Sequence, residues 1–313
     1  MALRSLAKAA ATAALVAFAP LAAHAQSATK PTPSPGLPMW VIRDGDSTIY
    51  ITGTIHQLRD GMLWRSEKLE SALAASKELW LELSEIADPA GLDEALHPVL
   101  EEYAAYGGTP LSELLTIEEN AALQAALLAV GAPKRVFDNL DRMEPWYATY
   151  ALGLNDFMGG DYKSENAIDD ALARQAVAQG IPVKGMEAIG DQIALMDGDS
   201  IASQLANLRA TLKAIPEHGL PMQRVGDLAY GSWIKGETHM VEALVGMMYM
   251  AAASGAMDTE GLLDKRNANW AIVIEEMLES SGVSFIAVGA AHLVGPESLQ
   301  AMLAKRGIKS KRY

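Results

Sequence analysis

Two histidines near opposite ends of this chain are delivered by one device. His56 closes Gly53-Thr54-Ile55-His56, after the alternating run Ser47-Thr48-Ile49-Tyr50-Ile51-Thr52. His292 closes Gly289-Ala290-Ala291-His292, after the apolar run Val283-Ser284-Phe285-Ile286-Ala287-Val288. Each Gly-x-x-His thus follows a strand-like segment, and glycine lets the backbone turn as the strand ends. Loops at the carboxyl ends of strands are where α/β sheets hold their chemistry. Two imidazoles so placed point to one shared site, and a neutral imidazole is a common ligand for zinc, manganese or iron. The alternative is that each histidine caps its strand and satisfies a backbone group.

Glu82 is the third candidate. Leu79-Trp80-Leu81-Glu82-Leu83 reads as a strand with the leucines on one face and Trp80 and Glu82 on the other. A carboxylate in so apolar a strand is costly unless it is paired, bound to a cation or exposed at the strand end. With His56 and His292 it makes a two-histidine, one-carboxylate set, provided its strand lies beside the one ending at His56. Glu187, after Val183-Lys184-Gly185-Met186, has the same character. Its roles would be general base or support for a ligating histidine, against a plain carboxylate at a helix start. Arg266 falls on the apolar stripe Leu263, Trp270, Ile274, Met277 of a predicted helix. A guanidinium facing inward needs a carboxylate or an anion, so it pairs with Glu82 or Glu187 or meets an oxyanion during hydrolysis. Asp169 and Asp170 open another helix, where carboxylates are favoured, and either could support the site. His97, His218 and His239 have no partner spacing. No phosphate loop, Gly-x-Ser-x-Gly elbow or His-Glu-x-x-His helix is present.

The elements that must position these residues follow from periodicity. Trp40 to Arg43 and the His56 strand flank Asp44-Gly45-Asp46, a hairpin signal. Residues 66–77 repeat at helical spacing before the Glu82 strand, which gives a strand, helix, strand unit with parallel strands. Residues 91–160 are mainly helical, broken at Gly107-Gly108, Gly131-Ala132-Pro133 and Gly159-Gly160. A helix over 166–179 stops at Gly180 and leads into a short strand over 181–186. Residues 191–257 are mostly helical, 259–280 form a long helix, 296–306 another, and 308–313 a last strand. The expected fold is α/β: a central mixed sheet flanked by helices, with a largely helical middle.

The amino terminus has the form of a signal peptide. Arg4 and Lys8 precede the small apolar run Ala9 to Ala23, and Ala23-His24-Ala25 suits cleavage after Ala25. Residues 26–38 read as a flexible leader, and 39–313 as a single domain. The product is expected in the periplasm or secreted beyond it. Met240 to Met257 is apolar but interrupted by Glu242, so no membrane span is expected after signal cleavage. The chain has no cysteine, so any metal site must use histidine, carboxylate and water. Its formal net charge of -14 argues against nucleic acid and anionic membrane surfaces as partners.

Taken together, these residues resemble the TraB/GumN family, which includes the Tiki proteases. The resemblance runs through Pro38-Met39-Trp40, Gly53 to Leu58, Leu79 to Leu83, Gly185-Met186-Glu187 with Asp191-Gln192, Arg266-Asn267 with Trp270, and Val288 to Gly295. It implies a fold related to the erythromycin-esterase and haem-binding ChaN groups, and metal-dependent peptide hydrolysis with manganese or cobalt. Carried over, His56, His292 and Glu82 are the metal set, with Glu82, Glu187 and Arg266 catalytic. The expectation is an exported metal-dependent hydrolase of the Tiki type, with a divalent ion (Mn, Co or Zn) and a peptide or small-molecule substrate. Its alternatives are a haem- or iron-binding protein and an accessory of envelope or polysaccharide export.

Overall fold

The computed structural model describes residues 36–87, 89–132, 134–154, 161–195, 200–214, 221–253 and 263–313. The signal segment, the cleavage position and most of the leader lie outside these residues, as do residues 259–262 of the expected long helix and His218.

Among the described residues there are eight strands, β1 (Met39–Arg43), β2 (Ser47–Thr54), β3 (Leu58–Arg59), β4 (Glu78–Leu81), β5 (Tyr162–Lys163), β6 (Val183–Gly185), β7 (Gly282–Gly289) and β8 (Lys311–Arg312). Six of them form a mixed sheet in the order β6-β4-β7-β2-β1-β8, and β3 pairs with β5 in a small ribbon. The expected hairpin is present: β1 and β2 are antiparallel, with Met39 opposite Thr52 and Arg43 opposite Thr48. Asp44 closes its turn, its carboxylate accepting from the backbone N–H of Asp46 at 3.1 Å and of Ser47 at 2.7 Å.

The parallel part differs from expectation in one respect. β4, the strand leading to Glu82, lies beside β7 and not beside β2. The reason is in the two sequences. β7 is apolar on both faces and its residues from Ser284 to Gly289 are all buried, so it takes the slot covered on both sides. β2 carries Thr48 and Tyr50 on a half-covered face and takes the next position. β2 and β7 run parallel through eight residue pairs, ending with Thr54 opposite Gly289, so the two Gly-x-x-His segments leave the sheet side by side. β4 ends at Leu81, which makes Glu82 the first residue past the strand.

Two apolar clusters hold the fold. One surrounds the sheet, with Ile51, Leu79, Leu81, Phe285, Trp233 and Trp270 fully buried. The other lies within the helical middle and includes Leu123, Leu127, Trp146, Ile193 and Leu208. The chain passes from the first to the second on either side of each acidic candidate. Leu81 belongs to the sheet cluster and Leu83 to the helical one; Met186 belongs to the first and Ile189 to the second. Glu82 and Glu187 therefore sit on the seam. Among the described residues no helix is long and apolar enough to cross a membrane. The Met-rich stretch is a helix over His239–Ala253.

Candidate functional site

Glycine is required in both motifs because of the space it leaves. Neither Gly53 nor Gly289 adopts a positive φ. A Cβ on Gly53 would fall 2.2 Å from Cζ2 of Trp233, whose indole N–H donates to the Gly53 carbonyl at 3.0 Å. A Cβ on Gly289 would stand 3.0 Å from Glu82 Oε1, 3.5 Å from His56 Nε2 and 3.6 Å from His292 Cδ2. The missing side chain of Gly289 thus marks a point around which both imidazoles and a carboxylate gather. The sharp turn expected at these glycines is replaced by close approach.

Arg266 forms the centre of the buried half. It lies on the helix Lys265–Met277 and points inward, as the apolar stripe required. Its Nη2 donates to Glu82 Oε2 at 2.5 Å and its Nε to Glu187 Oε1 at 2.8 Å. A second bond joins Nη2 to the same oxygen of Glu187. Its Nη1 lies 3.2 Å from His292 Nε2. The other Glu187 oxygen accepts from the Trp270 indole at 3.0 Å, and the guanidinium lies over that ring at 4.8 Å. Glu82 turns its remaining oxygen to the Gly289 N–H at 2.7 Å. Parallel pairing sets Glu82 next to Glu187, since the Glu187 N–H donates to the Glu82 carbonyl at 3.1 Å. Both sequence-based partners of Arg266 are therefore realised at once. The structure brings together His56, His292, Glu82, Glu187 and Arg266.

The two histidines sit in opposite environments. His292 is buried, its ring against Trp270 at 4.4 Å, with Nδ1 2.8 Å from Asn267 Oδ1. Burial, aided by the Arg266 charge and opposed by Glu82, lowers its pKa to about 3, so it is neutral. His56 keeps 60% of its side-chain surface open, with Nδ1 3.0 Å from Asp169 Oδ2. The Asp169 charge, the largest influence, raises the His56 pKa above the ordinary value. Water on the open face screens part of that attraction. Burial pushes Glu82 up, but the Arg266 charge, helped by the neighbouring histidines and the Gly289 N–H, outweighs it and holds it far below the usual carboxylate range. In Glu187 burial outweighs its bonds to Arg266 and its pKa is raised.

Two supporting residues emerge here. Asp169, one of the two helix-opening carboxylates, is the partner of His56, while Asp170 is half-buried and faces Arg174 at 4.0 Å. Asn267 holds His292, a role its sequence position did not signal; its adjacency to an inward arginine was the one available clue. His239 is exposed and away from these contacts.

A divalent ion can be tested against these donors. Both Nδ1 atoms are tied to side-chain oxygens, which leaves both Nε2 atoms on the site side, the usual arrangement of ligating histidines. With Glu82 they form the nitrogen and oxygen set that manganese, cobalt or zinc accepts, so the donors fit in kind. As placed, Arg266 is the cation between Glu82 and His292, and among the described residues no three His, Asp or Glu side chains are spaced to hold an ion.

These features define an α/β protein with a composite His, Glu and Arg site at the carboxyl edge of parallel strands. The chain belongs to the TraB/PrgY/gumN family, whose sequence model matches residues 38–312. It is 24% identical over 276 residues to an uncharacterized protein of Treponema pallidum (strain Nichols), covering 85% of this chain and 80% of that protein. No solved structure matches significantly.

Proposed function

We propose that this chain is an exported metal-dependent hydrolase, acting on peptide bonds in the periplasm or beyond it. One observation carries the reading: His56 Nε2, Glu82 Oε1 and the His292 ring surround the space that Gly289 leaves empty. His56, His292 and Glu82 would hold the ion, with Arg266 giving up its contact to His292. When bound, a manganese, cobalt or zinc ion would polarise the scissile carbonyl and acidify a water. The protein groups have separate tasks. Arg266, fixed by two carboxylates, turns positive charge toward the developing oxyanion. Glu187 locks that guanidinium through its second bond to Trp270. Asp169 aims His56 from behind, and the open face of His56 is where substrate enters.

A second reading rests on Arg266 itself. The guanidinium already supplies a cation between Glu82 and His292, so the His56 and Asp169 pair could transfer the proton without an ion. Purified protein should be analysed for metal and assayed on a peptide library with manganese, cobalt or zinc, then after chelation. Cleavage lost on chelation and in both His56→Ala and His292→Ala, with folding intact, supports the metal reading. Activity that survives chelation favours the second reading. Full activity in either histidine variant overturns both. A visible absorption band on haem titration, without cleavage, would favour a binding protein.

A further inference from the structure

We infer that Asn267 is a positioning residue that sets which nitrogen of His292 faces the site, keeping its Nε2 a permanent acceptor. The argument runs along a chain of hydrogen bonds whose ends each have a single role. At one end is the Glu297 carbonyl, which can only accept, and Asn267 Nδ2 lies 2.8 Å from it. The amide nitrogen of Asn267 must therefore face Glu297, and its oxygen must face His292, 2.8 Å from Nδ1. An amide oxygen can only accept, so the His292 proton sits on Nδ1 and Nε2 carries the lone pair. At the other end is Arg266 Nη1, which can only donate, 3.2 Å from that Nε2. The two ends agree on the same tautomer without any choice of hydrogen placement.

The environment reinforces the assignment. Asn267 is 1% exposed and His292 is 4% exposed, so both side chains are shielded from solvent. Asn267 follows Arg266 on one helix, so the residue that orients the ring and the residue that meets its far nitrogen move as one body. The contrast with His56 is chemical. There the Nδ1 partner is the carboxylate of Asp169, which favours a charged ring; a neutral amide does not. The two Gly-x-x-His histidines thus differ in what holds Nδ1, a carboxylate oxygen at His56 and an amide oxygen at His292. Only the consequence for turnover rests on the hydrolase reading; the tautomer does not.

Long-range 1H–15N correlation on protein with 15N-labelled histidine reports the tautomer directly, with His292→Gln identifying the signal. The expected result for the unsubstituted protein is an Nδ1–H imidazole at His292. Asn267→Asp keeps an oxygen on Nδ1 and should keep a proton there, with Nε2 protonated in addition because a carboxylate favours the charged ring. Asn267→Leu, of similar shape, should lose the Nδ1–H form. Kcat for peptide cleavage should fall about 10–100-fold in Asn267→Leu, with KM little changed. An Nε2–H ring in the unsubstituted protein, or an unchanged tautomer in Asn267→Leu, would overturn the inference. Should Asn267→Leu fail to fold, the spectra of the unsubstituted protein and Asn267→Asp decide it. The expected tautomer in a protein that cleaves nothing would leave this assignment standing and sink the hydrolase reading.

Discussion

Arg266 joins two buried carboxylates and an imidazole through one planar group, and its removal is the most severe single change the site offers. Arg266→Ala leaves Glu82 and Glu187 facing each other without a counter-charge. The expected cost is about 3–5 kcal/mol of folding stability, measured by urea denaturation. The histidines make a signed pH prediction for metal-free protein. His292 is held below its unfolded value of about 6.5, so its contribution is present above that pH and is lost as pH falls toward its folded value of about 3. The loss is at most about 1.4 kcal/mol per pH unit. Glu82, also depressed, adds to it below the ordinary carboxylate range, while the raised Glu187 opposes it. His56 is raised, so its contribution is present below about 6.5 and declines as pH rises through its folded value. Melting temperature should therefore peak near neutral pH, and an acid limb unchanged in His292→Gln would refute the assignment. Arg266 was legible in the sequence because its helical position conflicted with its charge. Asp169 and Asn267 were not assignable, because their partners lie 113 and 25 positions away.

The strands explain why the motif glycines resist replacement, each for a different reason. Gly53→Ala would drive a methyl group into Trp233 and should cost about 1–3 kcal/mol, with a changed tryptophan emission spectrum. Gly289→Ala instead pushes on Glu82 Oε1 and should reduce cleavage more than it lowers melting temperature. Equal effects of the two substitutions on stability and activity would contradict this division. Period-two and helical patterns gave the hairpin, the Glu82 and Glu187 strand ends and the inward face of the Arg266 helix. The neighbour of β4 was not legible from local pattern; it is set by competition for the most covered slot, which β7 wins with two apolar faces. The ribbon of β3 and β5 is two residues on each side, too short to carry any periodic signal.

At the scale of the molecule, the helical middle was legible as a region, whereas its separate apolar cluster was not. Nothing in a helical pattern says whether its buried face packs on the sheet or on other helices, and here Leu123, Leu127 and Leu208 choose helices. The proposed export is tested at this scale. Protein recovered from the envelope or the medium should begin at Gln26 by mass spectrometry, and an intact Met1 start would refute cleavage.

The pairing of β2 with β7 joins Thr54 to Gly289, 235 positions downstream. Synthesis must pass residue 292 before the two imidazoles can meet. A nascent chain that stops short of His292 therefore lacks the composite site. Cleavage just ahead of Gly282 would divide the composite site while leaving most of the described helices intact.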